Sequence, residues 1–546
     1  MAYNILGIHP GHNSSVALIS DGKLVYYLEE ERLSRLKRDY DPFKVIIDIC
    51  FRYKINELII GGTNDPRENY KLPISNENIF SAFIRKYYPN VKTTIINKEH
   101  HLTHALCAFY NSGFNSASIL VIDGAGSLKH NGYECESIFL ADSNKISLLY
   151  SSTYSNPNDG ITITKYYEAV TKYLGWDYLE GGKTMGLAPY GKQNFKIPQL
   201  FKNGRGNKNL FLPQYPLSAE IKIDKNSIFY RNYNPKEWHT DPTKISEIET
   251  DLAWRVQNDT QKEVGKLIEK SLKLTNKKQI CIVGGYGLNC VTNYFLKKSF
   301  PDLEIYHEPV SHDGGAAIGA AYFGWKKYQP NIRFPKQTSV YYGPRYDPTQ
   351  YLTIIKNYLK MFNKQKANYK DIAKLISERN IVCIFQGRSE AGPRALGNRS
   401  ILYDPTDPNG KDFVNKVKKR EWFRPFAGTV LLEKANEWFD MAGLEESPFM
   451  MYAMDVWPDK QEKIKAITHV DGTCRIQTVT KEQNFHYYNL IQEFEKITGV
   501  PILFNTSFNL AGDPLVETID HAVDTLLRSE LKYLYLPELE MLLEKK

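Results

Sequence analysis

The chain has 546 residues, which at about 150 residues per domain indicates two to four domains. Hydrophobic residues make up 42% and charged residues 24%. These values are close to those of globular proteins and exclude a disordered, collagen-like or coiled-coil architecture. The 70 Lys and Arg residues exceed the 62 Asp and Glu residues by a formal charge of +8, a mild excess that permits an anionic partner without requiring one.

Three absences in the sequence bear on its compartment. No apolar run approaches the length that spans a bilayer, so we expect no membrane partner. The N-terminal MAYNILGIHPGHNSS has no basic region followed by an apolar stretch, so we expect no signal peptide. The seven cysteines are dispersed without a C-x-x-C pair, which argues against a disulfide framework and against a thiolate zinc site. We therefore predict a cytoplasmic protein.

An internal echo is the first structural pattern along the chain. Residues 4–27 and residues 118–150 each read as an apolar strand, a Gly-containing turn, a second strand, a polar turn and a third strand. Two such meanders predict a duplicated two-lobe α/β fold of the actin-like and sugar-kinase-like ATPase type. Strand–turn–helix and helix patterns follow at 279–298 and 312–327. The polar stretch 199–245 has little periodicity and predicts an insertion or an excursion over the surface.

A Pro- and Tyr-rich stretch at 328–350 predicts the linker between two domains. The sequence DIAKLISERNIVCIFQGRSE then predicts a helix and a buried strand, which begin a second unit. We place the two domains at residues 1–335 and 336–546.

Two histidines and two aspartates are candidate metal ligands. The segment KEHHLTHALCAFY predicts a helix with His100 and His104 on one face, a spacing that suits a metal ion but also occurs on ordinary polar helix faces. Asp123 ends an apolar strand, and Asp313 precedes small residues that open a helix. Each aspartate alone also fits a turn or a helix cap. Together the four predict a site for Fe(II), Mn(II) or Zn(II) without thiolates.

His12 follows the first strand, where a general base would face the cleft between the lobes; a structural histidine is the alternative. Glycine loops at 124–126, 182–191 and 284–287 allow close approach of a nucleotide, with tight turns as the alternative. None is a P-loop, because residue 177 is Asp where that motif requires Gly. The candidate nucleotide-binding residues are Gly124, Gly126, Lys183, Gly186, Gly284, Gly285 and Asn289.

The second unit is dense in cations that stand beside Gly, Pro and Ala. Arginine forks bind phosphate and carboxylate groups bidentately, so these loops predict that a small dianion and a nucleotide bind together. A set of surface arginines is the alternative. The residues concerned are Arg388, Arg394, Arg399, Lys418, Arg420, Arg424, Arg475, Asn505 and Ser507.

Taken together, these motifs resemble those of one family, the O-carbamoyltransferases of the NodU, CmcH and TobZ type. They occur in the family's order and cover nearly the whole chain: LGIHPGHNSSVALISDGKLVYYLEEERLSRLKRD, HHLTHA, DGAGS, GGKTMGLAPYG, GGYGLNCVTN, HDGGAAIGAA, GRSEAGPRALGNRSI, VKKREWFRPFA, HVDGTCRIQTV and NTSFN. The resemblance implies a TsaD-like N-terminal domain, similar to the actin-like enzymes that make threonylcarbamoyladenosine in tRNA, and a YrdC-like α/β C-terminal domain.

The resemblance also implies an ATP-dependent carbamoyltransferase. The C-terminal domain would use ATP, with Mg²⁺, and carbamoyl phosphate to make carbamoyladenylate and release pyrophosphate. In the N-terminal domain, Fe(II) or another divalent transition metal and a base would help an acceptor alcohol attack the carbamoyl carbon. The matching positions are His100, His104, Asp123 and Asp313 for the metal, His12 for the base, and Arg394, Lys418, Arg475 and Ser507 for the carbamoyl phosphate and adenylate pocket.

Three further positions matter to the resemblance. Lys37 stands at a family lysine that reaches the same phosphate groups, so it joins His12 as a catalytic candidate. Arg38 stands where the family often has His, and Ser127 where it often has Glu. These two departures leave the acceptor side and the nucleotide contacts open.

Two other functions compete. A tRNA threonylcarbamoyl transferase would share the N-terminal fold but not the fused arginine pocket, and a non-catalytic actin-like ATPase module would need neither that pocket nor His12. The sequence leaves three classes of acceptor open: a small molecule, a sugar, or a hydroxymethylated pyrimidine in a nucleotide or in DNA. Whether the chain forms a homodimer is also left open. A basic patch would favour nucleic acid, although a solvated surface is the preferred interpretation; its residues are Lys202, Arg205, Lys208 and Arg231.

Overall fold

The chain forms two compact units. A computed structural model describes residues 2–62, 77–130, 132–143, 145–154, 162–202, 205–207, 210–214 and 218–546. The first unit comprises Met1–Glu237 and Lys244–Gln337, and the second comprises Trp238–Thr243 and Thr338–Lys546. Within the described ranges, none of the helices combines the length and the apolar character that crossing a membrane requires.

The first lobe of the first unit is a five-stranded sheet with helices. Its strands are β1 (Asn4–His9), β2 (Ser15–Ser20), β3 (Lys23–Glu29), β4 (Glu57–Ile60) and β5 (Lys92–Ile95). Its helices are α1 (Glu31–Ser34), α2 (Phe43–Arg52), α3 (Ile79–Arg85) and α4 (His100–Ser112). The strand order is β3-β2-β1-β4-β5, antiparallel from β3 to β1 and parallel from β1 to β5. Strands β1 and β4 are buried along their whole length, as apolar strands covered on both faces are.

The second lobe and the segment inserted in it complete the first unit. The strands are β6 (Ser116–Ile122), β7 (Leu128–Lys129), β8 (Gly132–Asp142), β9 (Ile146–Tyr154), β10 (Phe201–Lys202), β11 (Arg205–Gly206), β12 (Phe211–Gln214), β13 (Ser218–Ile221), β14 (Gln279–Val283) and β15 (Glu304–His307). The helices are α5 (Ile163–Tyr173), α6 (Gly181–Leu187), α7 (Lys236–Thr240), α8 (Glu247–Thr275), α9 (Cys290–Ser299) and α10 (Gly315–Tyr328). Helix α7 runs across the boundary at Glu237 into the second unit.

The two lobes share one topology. In the second lobe β9, β8, β6, β14 and β15 are neighbours in that order, with β7 also paired to β8. Pairing is antiparallel from β9 to β6 and parallel from β6 to β15. This matches β3-β2-β1-β4-β5 strand for strand, so the predicted duplicated actin-like fold is confirmed.

Helix α10 connects the lobes through small residues. Its sequence GAAIGAAYFGW packs on β1 and on α4. A Cβ at Gly319 would collide with the Thr103 backbone of α4, and a Cβ at Gly7 of β1 would collide with the Ala317 carbonyl. The two backbones approach this closely only because side chains are absent there, and this approach positions the start of α10 beside α4.

The stretch 199–245 is not simply a surface excursion. It forms two short hairpins, β10–β11 and β12–β13, before α7. Trp238 is fully buried in the second unit, where its carbonyl accepts a hydrogen bond from Trp422 Nε1 at 3.1 Å. An insertion fits these hairpins, whereas a surface excursion is wrong at Trp238, because one aromatic side chain in a polar stretch can be buried in a core.

The second unit is an α/β domain around one mixed sheet. Its strands are β16 (Phe362–Lys366), β17 (Val382–Phe385), β18 (Arg399–Tyr403), β19 (Ala427–Leu431), β20 (Ala453–Asp455), β21 (Thr473–Val479), β22 (Ile502–Ser507), β23 (Tyr533–Leu536) and β24 (Met541–Lys545). Its helices are α11 (Pro348–Lys356), α12 (Tyr369–Ser377), α13 (Gly410–Val417), α14 (Ala435–Trp438), α15 (Phe485–Thr498) and α16 (Ile519–Leu527). The strand order is β16-β24-β23-β17-β18-β22-β19-β21-β20. The predicted helix and buried strand at the start of this unit are α12 and β17.

Candidate functional site

Helix α4 presents two histidines on one buried face. His100 and His104 are both fully buried, and their Nε2 atoms lie 3.0 Å apart. The helix begins at His100 because Ser127 Oγ accepts the His100 N–H at 3.0 Å, which satisfies one of the free donors of the first turn. Ser127, one of the two departures from the family pattern, therefore caps this helix.

Two carboxylates complete the cluster. Asp123 follows β6, and its Oδ2 lies 3.4 Å from His100 Nε2. Asp313 precedes α10, and its Oδ1 lies 3.6 Å from the Nε2 atoms of both histidines. One ligand atom from each of the four residues can be chosen so that all lie within 4.8 Å of one another.

The backbone around Asp123 holds its carboxylate in place. Asp123 Oδ1 accepts the Gly285 N–H at 3.2 Å. Gly284 has a φ of +94°, and a Cβ there would collide with the Ile122 carbonyl, so the loop after β14 passes β6 only with glycine at this position. Gly284 and Gly285, predicted to approach a nucleotide, are thus in direct contact with the strand that carries Asp123.

The four residues are electrostatically matched. Burial alone would raise the pKa of Asp313, but the neighbouring His12 and His100 lower it well below its usual range. Burial alone would lower the pKa of His100, but Asp313 and Asp123 raise it well above its usual value. Buried charges of this kind persist only when opposite charges compensate them, as the histidines and carboxylates of this cluster do for each other.

The hydrogen bonds of the histidines fit metal ligation. His100 Nδ1 lies 2.5 Å from the Gly62 carbonyl, so this nitrogen carries a proton, and Nε2 would present its lone pair to a cation that replaces the proton favoured by the two carboxylates. His104 Nε2 faces the same point, and its buried Nδ1 has no hydrogen-bond partner among the described residues. Two imidazoles and two carboxylates are a donor set that divalent transition metals accept. The residues therefore fit the predicted metal, whose identity stays a prediction.

His12 stands at the open side of the cluster. Its Nε2 lies 3.1 Å from Asp313 Oδ2 and its Nδ1 lies 3.2 Å from Asn13 Oδ1. Its side chain is 31% exposed, against 8% or less for the four candidate ligands. A proton on His12 can therefore exchange with solvent or with a bound molecule while the ligands cannot.

His9 is a neighbour that sequence reasoning missed. It ends β1, is almost fully buried, and its ring centre lies 6.0 Å from that of His100. Burial lowers its pKa to about 3, and neither ring nitrogen has a hydrogen-bond partner within the described ranges. His9 is therefore an uncharged side chain that packs beside the cluster.

The other predicted nucleotide residues of the first unit lie on nearby loops and helices. Asn289 caps α9 by accepting the Thr292 N–H at 3.0 Å, and its Nδ2 donates to Gln257 Oε1 at 3.0 Å. Lys183 on α6 pairs with Glu180 at 2.9 Å. Gly186 is buried in α6, and Gly124 and Gly126 follow Asp123. A nucleotide role for these residues stays a prediction.

Lys37 and Arg38 lie in the turn after α1. Lys37 is exposed, and its catalytic role stays a prediction. Arg38 has a φ of +59° and its Nη1 lies 3.0 Å from Asp177 Oδ1. Arg38, which stands where the family often has His, therefore links this turn to Asp177.

In the second unit, polar side chains line one face of the sheet. Arg475 of β21 is opposite Ala427 of β19, which is opposite Asn505 of β22, so the three side chains share a face. Asn505 Nδ2 donates to Thr429 Oγ1 at 3.0 Å and to the Ala395 carbonyl at 3.2 Å. Its Oδ1 is buried and accepts no hydrogen bond within the described part of the chain.

Lys418 and Ser507 meet at the end of this face. Lys418 is 2% exposed, and its Nζ donates to the Ser507 carbonyl, to Ser507 Oγ at 3.4 Å and to Asn509 Oδ1 at 3.1 Å.

Arginines gather beside them. Burial and the neighbouring charges of Arg424 and Arg475 lower the pKa of Arg420, although Glu421 opposes the effect. Arg424 pairs with Glu421 at 3.4 Å, whereas Arg420 and Arg475 make no ion pair with any described residue. The structure thus brings together Arg420 and Arg475, two of the predicted phosphate-binding cations.

The loop that carries Arg394 is organised by an acid that sequence reasoning missed. Glu390 Oε1 accepts the backbone N–H groups of Leu396 at 2.8 Å, Asn398 at 2.9 Å and Arg399 at 3.2 Å. Arg394 is half-buried at the turn of this loop. Its contact with carbamoyl phosphate stays a prediction.

The assignment of Arg399 to anion binding is wrong. Its guanidinium is fully buried over the Phe385 ring and donates to the carbonyls of Gln386, Gly387, Asn398 and Glu517. Arg388 likewise donates to the Tyr342 and Gly343 carbonyls. Arginines among Gly and Pro in a sequence can serve either role, because loops leave carbonyls free as well as space for ligands.

Arg231, one of the four residues of the predicted basic patch in the 199–245 stretch, does not support that patch. Arg231 pairs with Glu249 at 2.9 Å and lies 4.2 Å from the Tyr173 ring centre, so its charge is compensated internally. Lys208 and the side chains of Lys202 and Arg205 lie outside the described residues.

Lys165 and Glu168 are two further charged residues that the sequence did not single out. Both are buried on α5, and Lys165 Nζ lies 2.8 Å from Glu168 Oε2. In sequence they form an ordinary i,i+3 pair of the kind common on solvated helices, so only the tertiary structure distinguishes them.

Two family models and several known proteins match this chain. A family model described as "Carbamoyltransferase N-terminus" matches residues 44–322, and one described as "Carbamoyltransferase C-terminus" matches residues 373–544. The chain is 30% identical to "Nodulation protein NolNO" of Sinorhizobium fredii over 95% of this chain and 77% of that protein. It is 32% identical to "Nodulation protein NolO" of Bradyrhizobium diazoefficiens over 79% of this chain and 76% of that protein. The N-terminal match alone spans more than half of the chain.

Proposed function

The chain belongs to the carbamoyltransferase family, and on that basis we propose that it is an ATP-dependent O-carbamoyltransferase with two half-reactions. In the first, carbamoyl phosphate, ATP and water give carbamoyladenylate, phosphate and pyrophosphate. In the second, the hydroxyl of an acceptor attacks the carbamoyl carbon, AMP leaves and an O-carbamate forms. The resemblance predicted from the sequence is confirmed at the level of the family; the substrates and the intermediate are proposals.

The cluster of His100, His104, Asp123 and Asp313 beside His12 is the observation that carries the proposal. These residues would hold Fe(II) or another divalent transition metal. Such an ion supplies Lewis-acid polarisation of the carbamoyl oxygen. An ATPase without transfer chemistry would have no use for an exchangeable histidine at this point.

His12 is proposed as the group that takes the proton of the acceptor hydroxyl. Its Nε2 is held by Asp313 at 3.1 Å, which fixes the ring, while its exposed edge faces solvent. With Nε2–H held by Asp313, Nδ1 would be the proton acceptor, so the Asn13 side chain, whose Oδ1 lies 3.2 Å from Nδ1, must move aside for the acceptor hydroxyl to take its place. Asp313 would set the tautomer of the base by holding the proton on Nε2.

The cationic face of the second unit is proposed to bind the two anionic substrates. Arg475, Arg420 and Arg394 would contact phosphate oxygens bidentately, and Lys418 would add a point charge held by Ser507. Asn505 would present its free Oδ1 to a donor on the nucleotide. Mg²⁺ would accompany ATP, as it does in most enzymes that transfer nucleotidyl groups.

Two measurements test the function. Carbamoyl-phosphate-dependent exchange of pyrophosphate into ATP reports the first half-reaction, and mass spectrometry of the acceptor reports the gain of one carbamoyl group in the second. Release of ADP without exchange would favour the ATPase module. Exchange that depends on threonine and bicarbonate instead would favour the threonylcarbamoyl enzyme.

A further inference from the structure

One ion pair, here called the interlobe pair, joins the two lobes of the first unit. Arg38 lies in the turn after α1 of the first lobe, and its Nη1 lies 3.0 Å from Oδ1 of Asp177, which stands between α5 and α6 of the second lobe. The two side chains are 25% and 51% exposed. An ion pair with this much solvent contact is weak, as a contact that forms and breaks in every reaction cycle has to be.

The turn that carries Arg38 is bonded to the loop that carries His12. The two residues after Arg38 accept, through their backbone carbonyls, the N–H groups of Ser14 and Gly11, each at 3.0 Å. These two hydrogen bonds lie on either side of His12, the proposed base, in the sequence. A movement of the Arg38 turn therefore moves the His12 loop with it.

The Asp177 end of the interlobe pair is also held in place. Asp177 Oδ1 accepts the Leu179 N–H at 3.0 Å, and Glu180 Oε2 accepts the Asp177 N–H at 3.2 Å, which is the reciprocal pair of bonds that starts a helix. Glu180 in turn pairs with Lys183, a candidate nucleotide-binding residue, at 2.9 Å. The interlobe pair thus connects the loop of the proposed base with the segment of a candidate nucleotide-binding residue.

We propose that the interlobe pair closes the two lobes over the transfer site and limits hydrolysis of carbamoyladenylate, so that Arg38 and Asp177 are positioning residues for transfer to the alcohol. In that hydrolysis a water oxygen bonds to the carbamoyl carbon, the bond from this carbon to the AMP phosphate oxygen breaks, and protons pass to solvent, which leaves carbamate and AMP. A closed site excludes this water. The inference goes beyond the proposed function and rests on it.

Two substitutions remove the charges of the pair and keep the local backbone. Asp177→Asn retains an oxygen that accepts the Leu179 N–H, because Asn caps a helix as well as Asp does. Arg38→Asn suits the φ of +59° at this position, which Asn tolerates better than most residues do. Arg52→Gln is the matched control, since it removes a partly exposed pair with Asp48 at 2.8 Å that stays within the first lobe.

Amide hydrogen exchange measures whether the pair holds the lobes together. Each variant should lower the protection of the Gly11 and Ser14 amides by about 2- to 5-fold, the range expected for an exposed ion pair. The double variant should lower it no further, because both substitutions remove the same interaction. Wild-type protection should fall equally at about 1 M salt, where charges are screened beyond about 3 Å. Arg52→Gln should match the wild type at low salt.

AMP formation without an added alcohol measures hydrolysis of the intermediate. With ATP and carbamoyl phosphate, each variant should form AMP about 2- to 5-fold faster than the wild type, and the control should not. Carbamoyl-phosphate-dependent pyrophosphate exchange should stay unchanged, because that half-reaction is assigned to the second unit. A pair that merely stabilised the fold would lower the melting temperature without speeding AMP formation.

Unchanged protection at Gly11 and Ser14, AMP formation that does not rise, or a larger effect in the double variant would overturn the inference. Should Arg38→Asn fail to fold, Asp177→Asn and the salt dependence of the wild type decide the outcome. Absence of pyrophosphate exchange in the wild type would refute the proposed function and the role in hydrolysis with it, whereas hydrogen exchange would still show whether the pair joins the lobes.

Discussion

The candidate sites of the two units differ most in charge balance. In the first unit two histidines face two carboxylates, and even the neighbouring Lys165 is paired with Glu168. In the second unit Arg420 and Arg475 have no carboxylate within ion-pair distance among the described residues. In the first site, opposite charges on neighbouring side chains compensate each other. In the second, the charges of Arg420 and Arg475 have no such partner among the described residues.

This difference indicates what each site is able to hold. A balanced group of imidazoles and carboxylates suits a divalent cation and the movement of one proton. A face on which Arg420 and Arg475 lack an ion-pair partner among the described residues is suited to phosphate groups, whose charge would compensate them. Damage to one site should therefore leave the half-reaction of the other intact.

The largest expected effect is loss of the metal cluster. His100→Ala with His104→Ala should abolish both bound metal and transfer to alcohols, while carbamoyl-phosphate-dependent pyrophosphate exchange continues. Metal content by mass spectrometry and the two activity assays are measured on the same preparation. His101→Ala is the control, because His101 is equally buried on α4 but its Nδ1 bonds to Ser137 Oγ at 2.7 Å. Full transfer by the double variant would contradict the assignment.

Replacing the proposed base should slow one step only. His12→Asn keeps a polar side chain but loses the proton acceptor, and removal of a general base typically costs about 10²–10⁴-fold in rate. Pyrophosphate should still be released, and carbamoyladenylate should accumulate on the enzyme. His130→Asn, on the exposed surface, is the control. A lower melting temperature with both half-reactions lost would instead mean that His12 is structural.

The cationic face should show the reverse pattern. Arg475→Ala removes charge-assisted hydrogen bonds to phosphate oxygens, so pyrophosphate exchange should fall about 10- to 100-fold. Bound metal should be unaffected. Arg528→Ala is the control, since Arg528 is exposed and already paired with Asp513 and Asp524. Normal exchange in the Arg475 variant would show that the anions bind elsewhere.

The sequence predicted those parts of the molecule that depend on local pattern. The strand meanders predicted the duplicated lobes, and the spacing of His100 and His104 predicted that both lie on one face of a helix. Parts that depend on burial escaped prediction: the pair of Lys165 and Glu168 looks like a solvated helix pair. The prediction that Arg399 binds an anion failed for the same reason, because the sequence does not distinguish an arginine that binds carbonyls from one that binds a ligand.

The smallest expected effect is a difference in pH dependence between the units. Burial raises the pKa of Glu308 in the first unit from 4.5 to about 7, against the opposing hydrogen bonds from Val310 N–H and Asn111. Below pH 4.5 the carboxyl is protonated in both the folded and the unfolded state. As the pH rises from 4.5 to 7, only the unfolded state loses the proton, so the stability of the first unit falls, by ~3 kcal/mol at most, and then levels off.

In calorimetry between pH 5 and pH 8, the unfolding transition of the first unit should therefore shift to a lower temperature as the pH rises. Glu308→Gln should flatten that dependence, because the amide does not titrate and still accepts the Val310 N–H. Its activity should be near that of the wild type, since Glu308 is fully buried beside Asn111 and Tyr306 and is not one of the cluster ligands. Identical pH dependence in variant and wild type would mean that Glu308 is ionised in the folded protein, its hydrogen bonds outweighing its burial.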